Sequence, residues 1–201
     1  LDPNLVPFLR RVFELMPPPA GGELSAPHEA TERASVQRLY FLFLNHIVSN
    51  KLAPVLVSPT NASHFEQVLN SIVQGLVEAP EPAIMKSCLA IITLLVQQWQ
   101  LGAEGDVDLA VRLAFHDFVV RKVLPAAVAS LRTPSFDARD ANSNRYAAEI
   151  ASLLFGLASA RGPELVRVLV DEVLPPLALP PSAVQGLAAA LPALKAAEDA
   201  L

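Results

Sequence analysis

The chain has 201 residues, enough for one helical domain or a short run of repeats, with a hydrophobic fraction of 52% and only 6% aromatics. Leu, Ala and Val must therefore carry most of the burial, and a single cysteine, Cys88, excludes an internal disulfide framework and fits a reducing compartment. The net charge of −5 excludes a general polycation, so any nucleic-acid contact must be local.

In chain order, Asp2-Pro3 is predicted to open a first helix whose stripe is Leu5, Phe8, Leu9, Val12, Phe13 and Met16. Pro17-Pro18-Pro19 ends it and Gly21-Gly22 continues the loop. A second helix is predicted from about Pro27 to Ser49, with Val36, Leu39, Tyr40, Phe43, Leu44 and Ile47 on one face. Phe41 and Leu42 fall off that face, which predicts cover on two sides. A short Leu52–Val57 segment leads to a third helix, capped by Asn61 or Ser63, with Phe65, Val68, Leu69, Ile72, Val73 and Leu76 as its stripe. Asn61-Ala62-Ser63 also matches a glycosylation acceptor, a tripeptide that arises easily by chance.

Pro80 and Pro82 turn the chain into a fourth helix, apolar all round from Ile84 to Trp99 and so predicted to be a buried layer. Asp106 or Asp108 caps a fifth, which Pro125 interrupts or kinks. After Pro134 comes a helix of about 20 residues, with Tyr146, Ile150, Leu153, Leu154 and Leu157 inward. Its Arg145 and Glu149 are spaced for a surface ion pair. Gly162-Pro163 starts another helix, closed by Pro175-Pro176, and Ser182 caps a last Ala-rich one.

No segment alternates at period two, so the fold class is all-α. Eight helices pair into about four antiparallel hairpins of about 45 residues, the length of the larger two-helix repeats. This predicts an α-solenoid of two-helix repeats, a right-handed superhelix occupying residues 1–201 as one run without a shared repeat consensus, with a closed helical bundle as the alternative. Because the chain starts at Leu1, it reads as a fragment of a longer protein. The two uncharged stretches, Ser87–Ala103 and Val173–Leu194, are respectively short and glutamine-bearing, and broken by prolines, so membrane insertion is not expected.

Catalytic chemistry finds no foothold. His28, His46, His64 and His116 form no metal-ligand spacing, and there is no nucleophile elbow or phosphate-cradling glycine loop. His116 and Asp117 are adjacent, so on a helix they diverge and cannot act as base and orienter. Asp171-Glu172 reads as solvated charge at a helix end. No enzyme activity, metal or cofactor is expected. The charge is uneven, however: residues 112–145 hold six basic and three acidic side chains, whereas residues 1–111 hold six and 11. Arg121-Lys122 either complement a helix C-terminus or, with Arg112, Arg132 and Arg139, meet a phosphate backbone.

Phe115-His116-Asp117-Phe118-Val119, Val123-Leu124-Pro125-Ala126, Phe136-Asp137 and Asp140-Ala141 follow one another in an order that resembles the C-terminal end of the exportin-T family, within the importin-β superfamily. Glu149-Ile150, Arg161-Gly162-Pro163-Glu164 and Val173-Leu174-Pro175 continue it, and Leu5-Val6-Pro7-Phe8-Leu9 and Lys86-Ser87-Cys88 with Trp99 extend it upstream. The tail after residue 176 departs from the pattern.

The resemblance implies a HEAT-repeat receptor that wraps mature tRNA together with GTP-bound Ran, passes the nuclear pore through nucleoporins, and shuttles between nucleus and cytoplasm. It places the main Ran contacts in N-terminal repeats outside this chain. It implies recognition of tRNA shape and backbone rather than bases, a task for which the cations Arg112, Arg121, Lys122, Arg132 and Arg139 of the basic section are the candidate contacts. The competing expectations are a helical-repeat scaffold for protein partners, or a different transport receptor with protein cargo.

Overall fold

A computed structural model describes residues 2–16, 27–77, 82–102, 104–132, 136–137 and 139–177, with the pairs 181–182, 185–186 and 189–190 beyond them. The predicted breaks at Pro17-Pro18-Pro19, Gly21-Gly22, Pro80 and Pro134, and most of the last helix after Ser182, lie outside the described residues. Among the described residues every regular element is helical, as the all-α reading expects. The chain divides into two compact units, 1–71 and 72–201, the division falling within the third helix.

In the first unit α1 (Asp2–Leu15) and α2 (Pro27–Ser49) precede a 3₁₀ turn (Ala53–Val57) and α3 (Ala62–Val77). Leu5, Leu9 and Val12 of α1 are buried, and Phe8 and Phe13 reach the α2 rings Phe43 and Tyr40 at centroid separations of 4.5 and 5.7 Å. The buried stripe of α2 is rotated from the predicted one: Tyr40, Phe41, Leu44, Ile47 and Val48 are buried, whereas Leu39 is 66% and Leu42 51% exposed. Positions 40, 41, 44, 47 and 48 already satisfy helical periodicity, so one covered face accounts for α2 and the expected second one is not needed. The Tyr40 hydroxyl meets Ser71 Oγ at 2.8 Å, which satisfies a buried polar end.

Asn61 does not cap α3 with its side chain. Its Nδ2 donates to the Val55 carbonyl (2.9 Å) and to Ser58 Oγ, tying the 3₁₀ turn to the helix start. It is 1% exposed, which leaves the Asn61-Ala62-Ser63 tripeptide inaccessible as a glycosylation acceptor in the folded chain.

In the second unit α4 (Pro82–Gln98) is followed by α5 (Leu109–Phe118), a π turn (Val119–Val123) and α6 (Leu124–Ser130), which form one continuous rod. Then come α7 (Ala141–Arg161), α8 (Pro163–Val168), a second π turn (Leu169–Val173) and a 3₁₀ turn (Pro175–Leu177). Ile84, Cys88, Leu89, Ile91, Ile92, Leu95 and Val96 are all buried, as an apolar-all-round helix requires. Asp108 accepts from the Ala110 amide (2.7 Å) and Asp140 from Ser143 (2.8 Å), so each of these helix starts has one of its orphan donors met. Gly162 joins α7 to α8 at φ 60°, ψ −142°, a conformation that a side chain would strain, and Pro163 then takes the first helical position. The i,i+4 pair Arg145 and Glu149 is not closed by an ion pair, which accords with how weakly exposed pairs are held.

Two hairpins therefore stack within this unit, α4 against α7 and the first π turn against the second. Gly156 is where α7 meets α4: a Cβ built there would lie 3.3 Å from Val96 Cγ1. Gly156→Leu is expected to lower stability by about 1–3 kcal/mol through overpacking, read as a drop in the unfolding midpoint. The buried Tyr146 hydroxyl meets Ser130 Oγ at 2.6 Å, binding α7 to α6; burial pushes its phenol up to about 12.

Candidate nucleic-acid interface

The basic section begins where α4 ends. The C-terminal carbonyls of a helix lack intrahelical donors, and α5 supplies two. His116 is fully buried and its Nε2 donates to the Trp99 carbonyl at 2.9 Å; Arg112 Nη1 donates to the carbonyl of Gln100. The i,i+4 spacing of Arg112 and His116 puts both on the face toward α4. The Phe115 ring stands edge-on to Trp99 at 5.0 Å beside them. Burial lowers the His116 pKa, the Trp99 hydrogen bond acts against this, and the charges of Arg161 and Arg112 lower it further. Arg112, expected among the phosphate contacts, is only 8% exposed. In the folded chain it therefore serves as an internal clamp on the end of α4.

One turn further, Pro125 shapes the site. Proline lacks an N–H and its ring collides with the carbonyl four residues back, here Arg121. The helix responds by widening for one turn, so that the Leu124 amide donates to Val119 rather than to Val120. The kink expected from Pro125 is thus a π turn within an unbroken rod. The same solution recurs 50 residues on, where Leu174 donates to Leu169 (2.8 Å) just before Pro175. Val119-Val120-Arg121-Lys122-Val123-Leu124-Pro125 and Leu169-Val170-Asp171-Glu172-Val173-Leu174-Pro175 are one pattern used twice, identical at four positions and opposite in charge at two. This is the repeat signature that the sequence reading did not find.

Stacking the turns brings the opposite charges together. Arg121 donates through Nε to both carboxylate oxygens of Asp117 (3.1 Å each) and through Nη1 to Glu172 on the neighbouring turn. Arg161, 11% exposed, lies 3.8 Å from Asp117 and 3.4 Å from Glu164. Glu172 is thus a partner in an inter-hairpin ion pair rather than simply solvated charge. Arg121 itself remains 47% exposed. Lys122 is exposed on the same turn, Arg132 on the turn that follows α6, and Arg139 just before α7, where its amide donates to Asp137 (2.8 Å). Of the five predicted site residues, then, four reach the surface.

Among the described residues no cluster of three or more His, Cys, Asp or Glu side chains could hold a metal ion, and no helix is long and apolar enough to cross a membrane. A family model described as Exportin-T matches residues 1–198. The chain belongs to the exportin-T family. It is 33% identical over 191 residues to exportin-T of Pongo abelii, covering 95% of this chain and 19% of that relative. Exportin-T of Danio rerio is 32% identical over 187 residues, 93% of this chain and 18% of the relative, and that of Emericella nidulans 29% over 182 residues, 87% and 17%. This exportin-T family chain therefore spans about a fifth of the length of the curated relatives it matches. No solved structure matches it.

Proposed function

We propose that this chain is the C-terminal part of a nuclear export receptor for mature tRNA, acting with GTP-bound Ran and shuttling between nucleus and cytoplasm through nucleoporin contacts. Its helical hairpins form about four HEAT-type repeats in a right-handed superhelix, and they close the arch around the cargo rather than supply most of its affinity. No step of this task needs catalysis, and Ran is engaged chiefly by repeats other than these. The observation that carries the reading is local: within an exportin-T family segment of net charge −5, the one basic section exposes Arg121, Lys122, Arg132 and Arg139. Folded tRNA offers phosphates and 2′-hydroxyls on an A-form surface, which such side chains meet without reading bases.

The test titrates tRNA against the full-length receptor and against this chain, with and without GTP-loaded Ran, across a salt series. The full-length receptor should bind cooperatively with Ran and weaken as salt rises; this chain alone should bind weakly. Arg121→Glu with Lys122→Glu should weaken tRNA binding and flatten the salt slope by about two phosphate contacts. Unchanged affinity and slope would remove both residues from the RNA surface. A second reading, a scaffold for protein partners, draws on Leu109 and Leu113, exposed at i,i+4 on α5. It predicts no salt-dependent RNA binding at all.

A further inference from the structure

We infer that Arg121 is a phosphate site masked by this chain's own carboxylates, and that Glu172, one hairpin away, is the mask an incoming RNA phosphate must displace. The inference rests on the tRNA reading above and adds to it a regulated residue. Three observations carry it. Arg121 spends Nε on Asp117 and Nη1 on Glu172, so the guanidinium edges that would grip a phosphate are already occupied. The three side chains are nevertheless about half exposed, at 47%, 47% and 48%, so water and an anion can reach the cluster. Finally, Asp117 has a second cation beside it in Arg161, whereas Glu172 reaches into the cluster from the neighbouring hairpin. Asp117 is thus held when Arg121 turns away, and Glu172 is the partner that is exchanged.

A carboxylate and a phosphate oxygen compete for the same donors, and exposed ion pairs exchange readily. Occupation of Arg121 by RNA therefore opens the bridge between the two π turns, coupling cargo contact to the stacking of the hairpins. Lys122 has no part in this bridge, so it adds to RNA affinity directly.

The experiment compares the wild-type chain with Glu172→Gln, with Lys122→Glu and with Glu104→Gln. The last removes one negative charge from an exposed position in the loop between α4 and α5. Labelling by phenylglyoxal, read by peptide mass spectrometry, reports Arg121 without RNA. Wild-type Arg121 should react several-fold more slowly than Arg139, and Glu172→Gln should close much of that gap. In tRNA titrations Glu172→Gln should tighten binding about three- to tenfold at a nearly unchanged salt slope, because the Arg121–phosphate contact forms in both chains and only the competing carboxylate is lost. Glu104→Gln should leave the affinity close to that of the wild type. Equal labelling of Arg121 and Arg139 in the wild type would overturn the mask. Unmasking without tighter tRNA binding, while Lys122→Glu still weakens binding, would overturn the phosphate site and leave the tRNA reading standing. Unchanged RNA binding in Lys122→Glu as well would bring down the tRNA reading and the site together.

Discussion

Phe115→Ala is expected to cost about 3–5 kcal/mol of stability. The ring is 2% exposed and stands edge-on to Trp99 at 5.0 Å, with His116 beside it. Its removal takes away the apolar area buried on folding and opens a cavity at the junction of α4 and α5. The edge-to-face contact with Trp99 adds about 0.5–1.5 kcal/mol beyond that area. The surroundings have little freedom to collapse, because Arg112 and His116 hold the end of α4 by direct hydrogen bonds. Chemical denaturation followed by Trp99 fluorescence, the chain's only tryptophan, reports this junction directly. A midpoint shift equivalent to less than about 1 kcal/mol would show that the junction is loosely packed and that α4 and α5 are held elsewhere.

The helices themselves were legible because their signals are local. The bounds of α2, the cap at Asp108 and the helix start at Pro163 follow from residues within one turn of where they act. The wide buried face of α4 follows from composition alone. What failed had a different character. The face of α2 was misplaced by one position, since Leu39 and Phe41 are equally apolar and only the neighbouring helix decides which one is covered. The Asn61 side chain turned away from α3 because the preceding 3₁₀ turn offered a buried carbonyl, a competitor invisible to a capping rule.

The candidate interface divides along the same line. Charge counting found the basic section but could not separate Arg112, which serves α4, from Lys122, which faces solvent. Asp171-Glu172 read as solvated because the partner of Glu172 lies 51 residues upstream on another hairpin. One signal was available and unused: two copies of a seven-residue pattern ending in Val-Leu-Pro, with opposite charges at the third and fourth positions. A pattern repeated at a fixed spacing predicts neighbours in a stack, and opposite charges in its two copies predict an ion pair between them, which forms one position out of match, from Arg121 to Glu172.

Acidification below about pH 6.5 should destabilise the second unit through His116, and the sign follows from where the imidazole sits. Its Nε2 donates to the Trp99 carbonyl, so Nδ1 carries the lone pair in the neutral ring, and no hydrogen-bond partner meets that atom. A proton added there would be buried and unpaired, with the cations Arg112 and Arg161 as its charged neighbours. Burial therefore lowers the folded-state pKa from the ordinary 6.5. With the folded pKa below the unfolded one, the unfolded chain binds the extra proton as pH falls through about 6.5, and stability drops with it until the folded pKa is reached. Above that window the contribution is complete and flat. Urea denaturation between about pH 7.5 and 5.5 isolates the effect, since carboxylates titrate lower. His116→Gln keeps a donor for the Trp99 carbonyl and removes the titration, so its stability should vary less across the window even if lower throughout. His116→Ala, which strips the donor and leaves a cavity, should cost at least about 1–3 kcal/mol at neutral pH. Parallel pH profiles for the wild type and His116→Gln would show that the imidazole takes up its proton in the folded chain without penalty, and that the clamp at the end of α4 rests on Arg112.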